Sequence, residues 1–379
     1  MDFTPVRQYI ESVLRQEKNV PACDVLIRRE HETLFRYFSG VSDYEGKVPL
    51  KGDEVYYMYS CTKPITCAAA MQLVEQGKLL LDAPVADYLP AYRNTFLEKD
   101  GKPVPTEKTM TIRHLFTMSA GLTYARDTAP VRELIATNPN AGTVEAVDAF
   151  VKSPLAFEPG ERFLYSLCHD VLAAVVEVVS GMRFSEYLKK NIFEPLGMTR
   201  IGFGLPEEEK PHLVAQYACA KPGEPYYPMR GNGDFRITAN YESGGAGLYS
   251  TVEDYSRFAD AMANGGVGIT GAQILKPETI DLMRSEQLGS FAMDTTFSCA
   301  AGPGYGYGLG VRTLIDKSQG QRSSLGEFGW DGAAGSYVMI DPKEKLSIFF
   351  AMQIRGWPHV IGCGHAPIRD LTYEVLGLS

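Results

Sequence analysis

Strand-forming segments lie at both ends of this chain and helix-forming segments fill its middle, which favours folds in which the two termini meet in one sheet. Near the N-terminus, CDVLIRREHETLFRYFSG places β-branched and aromatic residues on either side of a polar break at Glu30 to Glu32, the pattern of two antiparallel strands. EVYYMYS reads as a third strand. Strand character returns in YGYGLGVRTL, GSYVMIDP and KLSIFFAMQI. Between these ends, TIRHLFTM, TVEAVDAFVKS, HDVLAAVVEVVSG, FSEYLKKNIF and TVEDYSRFADAMANGG carry helical patterns separated by Pro- and Gly-rich loops. An amphipathic helix in MDFTPVRQYIESVLRQ opens the chain and PIRDLTYEVLGL closes it as another. The expected architecture is α+β: an antiparallel β-sheet from both chain termini, flanked by helices, with an inserted mainly helical lobe. Without repeats or a low-complexity linker, residues 1–379 read as one domain. Its α/β lobe covers about 1–85 and 290–379, and its helical lobe about 86–289.

Composition removes several function classes. The formal net charge is −9, the acids are scattered, and there is neither a basic run nor a glycine-rich loop ending in GK[ST]. Nucleic-acid binding is therefore not expected. The N-terminal segment lacks the unbroken apolar core of a signal peptide, and no later stretch is long enough to span a membrane. Seven cysteines, odd in number and without a CxxC pair, fit a reduced, cytoplasmic protein. No HExxH or other metal-ligand spacing occurs, so neither a metal nor another cofactor is expected.

Residues 59 to 63 read YSCTK, with Pro64 after them and an apolar helical pattern running on to Gln76. Gly77 is a plausible C-cap. Residues three apart on a helix share a face, so Ser60 and Lys63 can come within hydrogen-bonding reach. Pro64 is tolerated in a first turn, which places Ser60 at the helix N-terminus. A sheltered lysine there has its pKa lowered by desolvation and can accept the serine proton. Two further features draw attention: Tyr165-Ser166 just ahead of a helix, and the run from Gly329 to Gly335 (GWDGAAG) ahead of a strand. Alone, each has an ordinary reading as a cap, an interface aromatic or a turn.

Taken in order, SxxK near residue 60, YS about a hundred positions on, and a Trp-containing, Gly-rich strand motif near the C-terminus resemble the serine β-lactamase-like family. The resemblance is closest to class C β-lactamases, D,D-peptidases, family VIII carboxylesterases and related acyltransferases. AAAMQLVEQGKLLLDAPVADYLP, FEPGERFLYS, IFEPLGM, GGAGLYSTVEDYSRFA and YGYGLGV extend it over nearly the whole chain. It implies Ser60 as the acylated nucleophile, with Lys63 and Tyr165 as its general-base partners. Which of the two holds the proton at each step stays open, although positive charge on Lys63 would favour a tyrosinate at 165. Both groups have unperturbed pKa values of about 10, so one must be depressed for work at neutral pH. It also implies an oxyanion hole formed by the backbone N–H groups of Ser60 and Ala333, each donor typically worth about 100- to 1,000-fold in rate.

The departures from the family pattern bear on substrate. Class C β-lactamases and D,D-peptidases carry asparagine where this chain has Leu167, and a Lys or His, Thr or Ser, Gly run where it has Trp330, Asp331 and Gly332. Losing the lysine removes the positive partner of a substrate carboxylate, an interaction of about 1.5 to 3 kcal/mol. YSL with Asp170 three residues on resembles family VIII esterases, and Leu167 with Trp330 suits a neutral acyl or alcohol group. Asp331 departs even from the WGG of those esterases. It either faces the cleft and favours cationic esters or turns to the other face of its strand, since strand neighbours alternate.

The expectation is a serine hydrolase on small carboxylic esters, or an acyl transferase to a small acceptor. The alternatives are a β-lactamase or peptidase with relaxed motifs, and a non-catalytic binding protein on the same fold. The expected partner is a small-molecule ester or amide; no oligomeric state is implied. His114, His169 and His365 are read as packing or surface residues, because the chain has no GxSxG elbow. Cys61 is read as packing too.

Overall fold

The computed structural model describes residues 1–378 apart from 222, 223, 232, 234, 290–301 and 319. The lobe boundary expected near residue 290 lies outside the described residues.

Both termini build the main sheet. The hairpin Ala22–Arg29 and Glu32–Gly40 turns at Glu30 and His31, which both take positive φ (52° and 71°). Ala22–Arg29 pairs antiparallel with Leu346–Ala351, with Leu26 opposite Phe349. The seven strands run in the order 305–307, 312–314, 328–331, 337–341, 346–351, 22–29, 32–40, and every pairing is antiparallel. Alternation then divides the apolar residues between two cores. Val25, Ile27, Tyr337, Met339, Ile348 and Phe350 face the terminal helices, with Val6, Ile10, Ile368 and Tyr373. Leu26, Phe328, Trp330, Val338, Ile340 and Phe349 belong to a larger core shared with the central helices.

EVYYMYS does not join that sheet. Val55–Tyr57 pairs with Leu248–Thr251, which also pairs with Ile201–Phe203, in a separate three-stranded sheet. These three residues are fully interior, so their strand propensity gave no sign of which partner they would take. The helix Val252–Ala263 packs on the main sheet, with Tyr255 stacked on Phe349 at 4.2 Å, although its residues fall within the stretch expected to form the helical lobe. Thr251 caps it by accepting the Asp254 N–H at 3.0 Å.

The helix after YSC spans Thr62–Glu75 and is buried along nearly its whole length, as its all-round apolar sequence requires. Pro64 occupies the first turn, and Gly77 (φ 68°) closes the helix by donating its N–H to the Val74 carbonyl at 2.9 Å. Its main neighbour is the helix Cys168–Ser180, which follows Tyr165. The crossing of these two helices, beside the strand Phe328–Asp331, is where the sequence's three separate features meet.

Candidate active site

Ser60 sits in a tight helical turn, Tyr59–Cys61, leading directly into the buried helix. Four bonds fix that turn. The Met58 N–H donates to the Leu248 carbonyl at 2.9 Å and the Cys61 N–H to the Met58 carbonyl at 3.1 Å. The Tyr255 hydroxyl donates to the Cys61 carbonyl at 2.6 Å, and the Leu248 N–H to the Thr62 hydroxyl at 3.1 Å. Tyr59 takes φ 46°, a left-handed conformation that costs a non-glycine residue about 1–2 kcal/mol. Its hydroxyl donates to Gln216 at 2.5 Å, which holds the strained residue in place. Strain adjacent to a reactive group is a common feature of functional sites.

Lys63 is fully buried, its ammonium 3.2 Å from the Ser60 Oγ and 2.7 Å from the Gly245 carbonyl. Burial pulls its pKa down to about 8, with the Asp170 carboxylate the main opposing influence. Asp170 is itself interior: one oxygen accepts from Tyr241 at 2.5 Å and Ser243 at 2.6 Å. Its other oxygen has no hydrogen-bond partner among the described residues and lies where a Cβ on Gly245 would come within 2.4 Å. Only glycine at 245 lets the backbone enter between Lys63 and Asp170.

Tyr165 comes from the other side. Its hydroxyl donates to the Ser60 Oγ at 2.7 Å and accepts the Trp330 indole N–H at 3.2 Å. The ring is stacked between Tyr124 and Trp330, each 5.6 Å away, with the Lys63 ammonium 4.6 Å from its centroid. Burial, reinforced by Tyr124, pushes the phenol pKa well above its usual value, and the bond to Ser60 only partly opposes this. The two candidate bases are thus separated: Lys63 moves toward neutrality and Tyr165 stays protonated.

The strand Phe328–Asp331 brings Ala333 to the same place. Gly332 lies so close to the Met58 carbonyl that a Cβ there would approach to 2.6 Å. Ala333 is exposed, and among the described residues its N–H has no acceptor. The Ser60 N–H lies in the first turn of a helical run, where donors lack intrahelical partners.

Of the motif residues considered for substrate contact, Leu167 and Gly332 present no side chain to the cleft, and Asp331 takes the outward of its two possible directions. Leu167 is only 2% exposed and packs in the larger core at the start of its helix, because the neighbouring apolar side chains already enclose it. Gly332 acts through close backbone packing and has no side chain to present. Asp331 turns to the opposite face from Trp330, toward Arg312 at 3.8 Å. Arg312 is buried between Glu327 and Asp331 and lies over the Tyr337 ring at 4.7 Å. Burial still raises the Asp331 carboxyl to about 6, since the guanidinium offsets only part of its desolvation.

Two residues at the site are marked by no catalytic motif, although Gly245 lies in the GGAGLYSTVEDYSRFA segment that resembles the family. Tyr124, on an irregular segment, backs Tyr165 and lies 5.6 Å from the Lys63 ammonium. Gly245 contributes a carbonyl, which has no residue type. The histidines stay apart from the serine. His169 approaches Cys67 and the Phe116 carbonyl, and burial lowers its pKa to about 3. His365 is stacked on Tyr337 and meets the Gly335 carbonyl. His114 accepts the Thr111 N–H at 3.2 Å. Cys61 packs 4.0 Å from the Trp330 carbonyl.

This arrangement can acylate and deacylate a serine: a buried hydroxyl between an amine and a phenol, beside two backbone donors. The comparisons agree with that chemistry. The family model described as Beta-lactamase matches residues 6–363. Esterase EstB of Burkholderia gladioli is 30% identical over 364 residues, covering 89% of this chain and 87% of its own. Lovastatin esterase of Penicillium rubens is 30% identical over 337 residues, 81% of each chain. The solved structure of EstCE1, described as a hydrolase with promiscuous acyltransferase activity, is 26% identical with a TM-score of 0.77, covering 97% of this chain and 98% of that one. The chain belongs to the Beta-lactamase family.

Proposed function

We propose that the protein is a carboxylesterase that forms an acyl-enzyme at Ser60, with transfer of the acyl group to a small acceptor as its variant outcome. The observation carrying this reading is the contact of Ser60 Oγ with both Lys63 Nζ and Tyr165 Oη, at 3.2 and 2.7 Å. Neutral Lys63 takes the Ser60 proton as Oγ bonds to the ester carbonyl carbon. The backbone N–H groups of Ser60 and Ala333 hold the resulting oxyanion. As the intermediate collapses and the carbon–oxygen bond breaks, Tyr165 protonates the leaving alkoxide and recovers a proton from the Lys63 ammonium. Water, or an acceptor alcohol or amine, then attacks the acyl carbonyl and gives its proton to the same pair, which restores Ser60. Trp330 holds the Tyr165 phenol and offers a flat apolar wall to the substrate.

A serine hydrolase accords with the relatives named above. The choice of esters over β-lactams or peptides rests on Trp330, whose indole stacks on Tyr165 at the motif position where those substrates call for a cation. A reduced, cytoplasmic setting fits thiols that form no disulfide among the described residues, with Cys23, Cys61, Cys67 and Cys168 buried. No described helix is long and apolar enough to cross a membrane.

The test is a fluorophosphonate or a short p-nitrophenyl ester, read by mass spectrometry. Mass added at Ser60, and lost with Ser60→Ala, is the expected result. An unlabelled wild type, or a Ser60→Ala variant that labels and turns over as wild type does, rejects the reading. Nitrocefin turnover rivalling that of a good ester transfers the assignment to β-lactam chemistry.

A further inference from the structure

The motif position where related enzymes carry a cation is Trp330 here, yet the rim of this site is not without positive charge. Two arginines from distant segments flank the aromatic wall beside the nucleophile. Arg126 lies over the Phe235 ring at 4.0 Å, and Phe235 meets the Tyr59 ring edge-on at 5.6 Å. Arg355 lies over that same Tyr59 ring at 5.7 Å. Tyr59 immediately precedes Ser60. Arg355 is also tied to the oxyanion strand, because the Ile354 N–H donates to the Ala334 carbonyl at 2.9 Å and the Gly356 N–H to the Ala333 carbonyl at 3.3 Å.

Among the described residues, neither guanidinium has a carboxylate partner. Arg126 donates to the Phe235 carbonyl at 3.4 Å, and Arg355 reaches only the Met229 sulfur at 3.6 Å. Arg312, by contrast, is buried with two carboxylates within 4 Å. Aromatic faces hold a guanidinium in place without neutralising it, so its donors stay available for a planar anion. Both charges act on one point inside the site. The Tyr124 phenol, raised by burial and by Asp170, is pulled back by Arg126, Ser60 and Arg355. Tyr59 and Phe235 both hold left-handed backbone, at φ 46° and 57°, so this wall is kept in place against local strain.

We propose that Arg126 and Arg355 form an anion-binding pair at the rim, which takes a carboxylate carried by the ester a few bonds from the carbonyl attacked by Ser60. The substrate class becomes half-esters of dicarboxylic acids, or esters of carboxylate-bearing alcohols. This rests on the acyl-enzyme reading above and goes beyond it, replacing a neutral substrate by an anionic one. The cation missing from residue 330 is supplied by other segments.

The test uses two pairs of esters. p-Nitrophenyl hydrogen glutarate and its methyl ester place or remove the charge on the acyl side; 4-acetoxybenzoate and its methyl ester do so on the leaving side. In the double variant Arg126→Gln with Arg355→Gln, the anionic-to-neutral ratio of kcat/KM should fall about tenfold in one pair, mainly through KM. The wild-type ratio for that pair should also fall at high salt, because the rim is exposed. Ratios equal to wild type in both pairs overturn the proposal. Turnover of the neutral esters by wild type tests the hydrolase reading separately. If no ester is turned over, calorimetric titration of monomethyl glutarate into wild type and double variant still decides: weaker binding to the variant supports the pair, and equal or absent binding to both overturns it.

Discussion

Tyr165 places its phenol oxygen 2.7 Å from the Ser60 Oγ across 105 residues of chain, and the Trp330 indole N–H donates to that phenol oxygen from a third segment at 3.2 Å. The phenol is buried and stays protonated, so it is suited to give a proton to the leaving group. Tyr165→Phe should lower kcat for an alkyl ester such as ethyl butyrate, whose alkoxide needs that proton to leave, by about 100- to 10,000-fold with a smaller change in KM. Trp330→Phe keeps the stack and removes the N–H, and should cost less than Tyr165→Phe. A Tyr165→Phe enzyme with wild-type kcat would remove the phenol from the proton path.

The base assignment is read from pH. Lys63 must be neutral to accept a proton, and its pKa is pulled down to about 8 by burial. Activity is therefore present above that value and lost as pH falls through it. Log kcat/KM should rise with a slope of about one up to pH near 8 and then level off. Asp170 opposes the shift, so Asp170→Asn should move the limb to lower pH. A limb that stays in place shows that Asp170 does not set this pKa.

Gly332→Ala probes the close approach of the oxyanion strand. The new Cβ would come within 2.6 Å of the Met58 carbonyl, so the strand tip must retreat from Ser60. A loss of about 100-fold in kcat is expected, within the range for a misplaced oxyanion donor. Retention of full kcat by a folded variant would show that the tip can shift without moving Ala333.

Asp331→Gly tests which way that side chain faces. Since Asp331 is turned toward Arg312, the ratio of cationic to neutral ester turnover should stay within about twofold of wild type, the change expected of a screened charge outside the cleft. The Tm should fall, because a buried guanidinium loses a partner. A changed ratio with unchanged Tm would put the carboxylate back in the cleft.

His169 and His365 make the fold acid-sensitive. Burial lowers both to about 3, below the unfolded value of about 6.5, so the unfolded chain binds protons first as pH falls. Their contribution is complete above pH 6.5 and is lost progressively toward pH 3. Denaturant midpoints should therefore decline over that window, and less steeply in His365→Asn.

Much of the fold was legible because period and position are local properties. The hairpin at Glu30 and His31, the helix from Thr62 to Glu75 and its Gly77 stop, and the late strands all follow from pattern and turn chemistry. Val55–Tyr57 was legible as a strand, though its sheet was not: three interior residues with no polar face carry no signal of register. Leu167 was expected at the substrate and lies in the core, and the direction of Asp331 stayed open, for a related reason. A motif identifies a residue type and its neighbours, while the direction of its side chain depends on what packs against it. Neither Tyr124 nor the Gly245 carbonyl was marked as a site group, one lying in an irregular segment and the other being backbone within a family-like stretch.

By itself, then, the sequence determined the α+β plan, the helical spacing that puts Lys63 one turn after Ser60, and the order of the motifs, since each depends on residues close together in the chain. Tertiary structure decided the rest. It buried Lys63 and lowered its pKa, left Tyr165 protonated beside Ser60, turned Asp331 to Arg312, and set Arg126 and Arg355 on one aromatic wall. Desolvation and charge depend on which surfaces meet, and at Ser60 those surfaces come from segments more than a hundred residues apart.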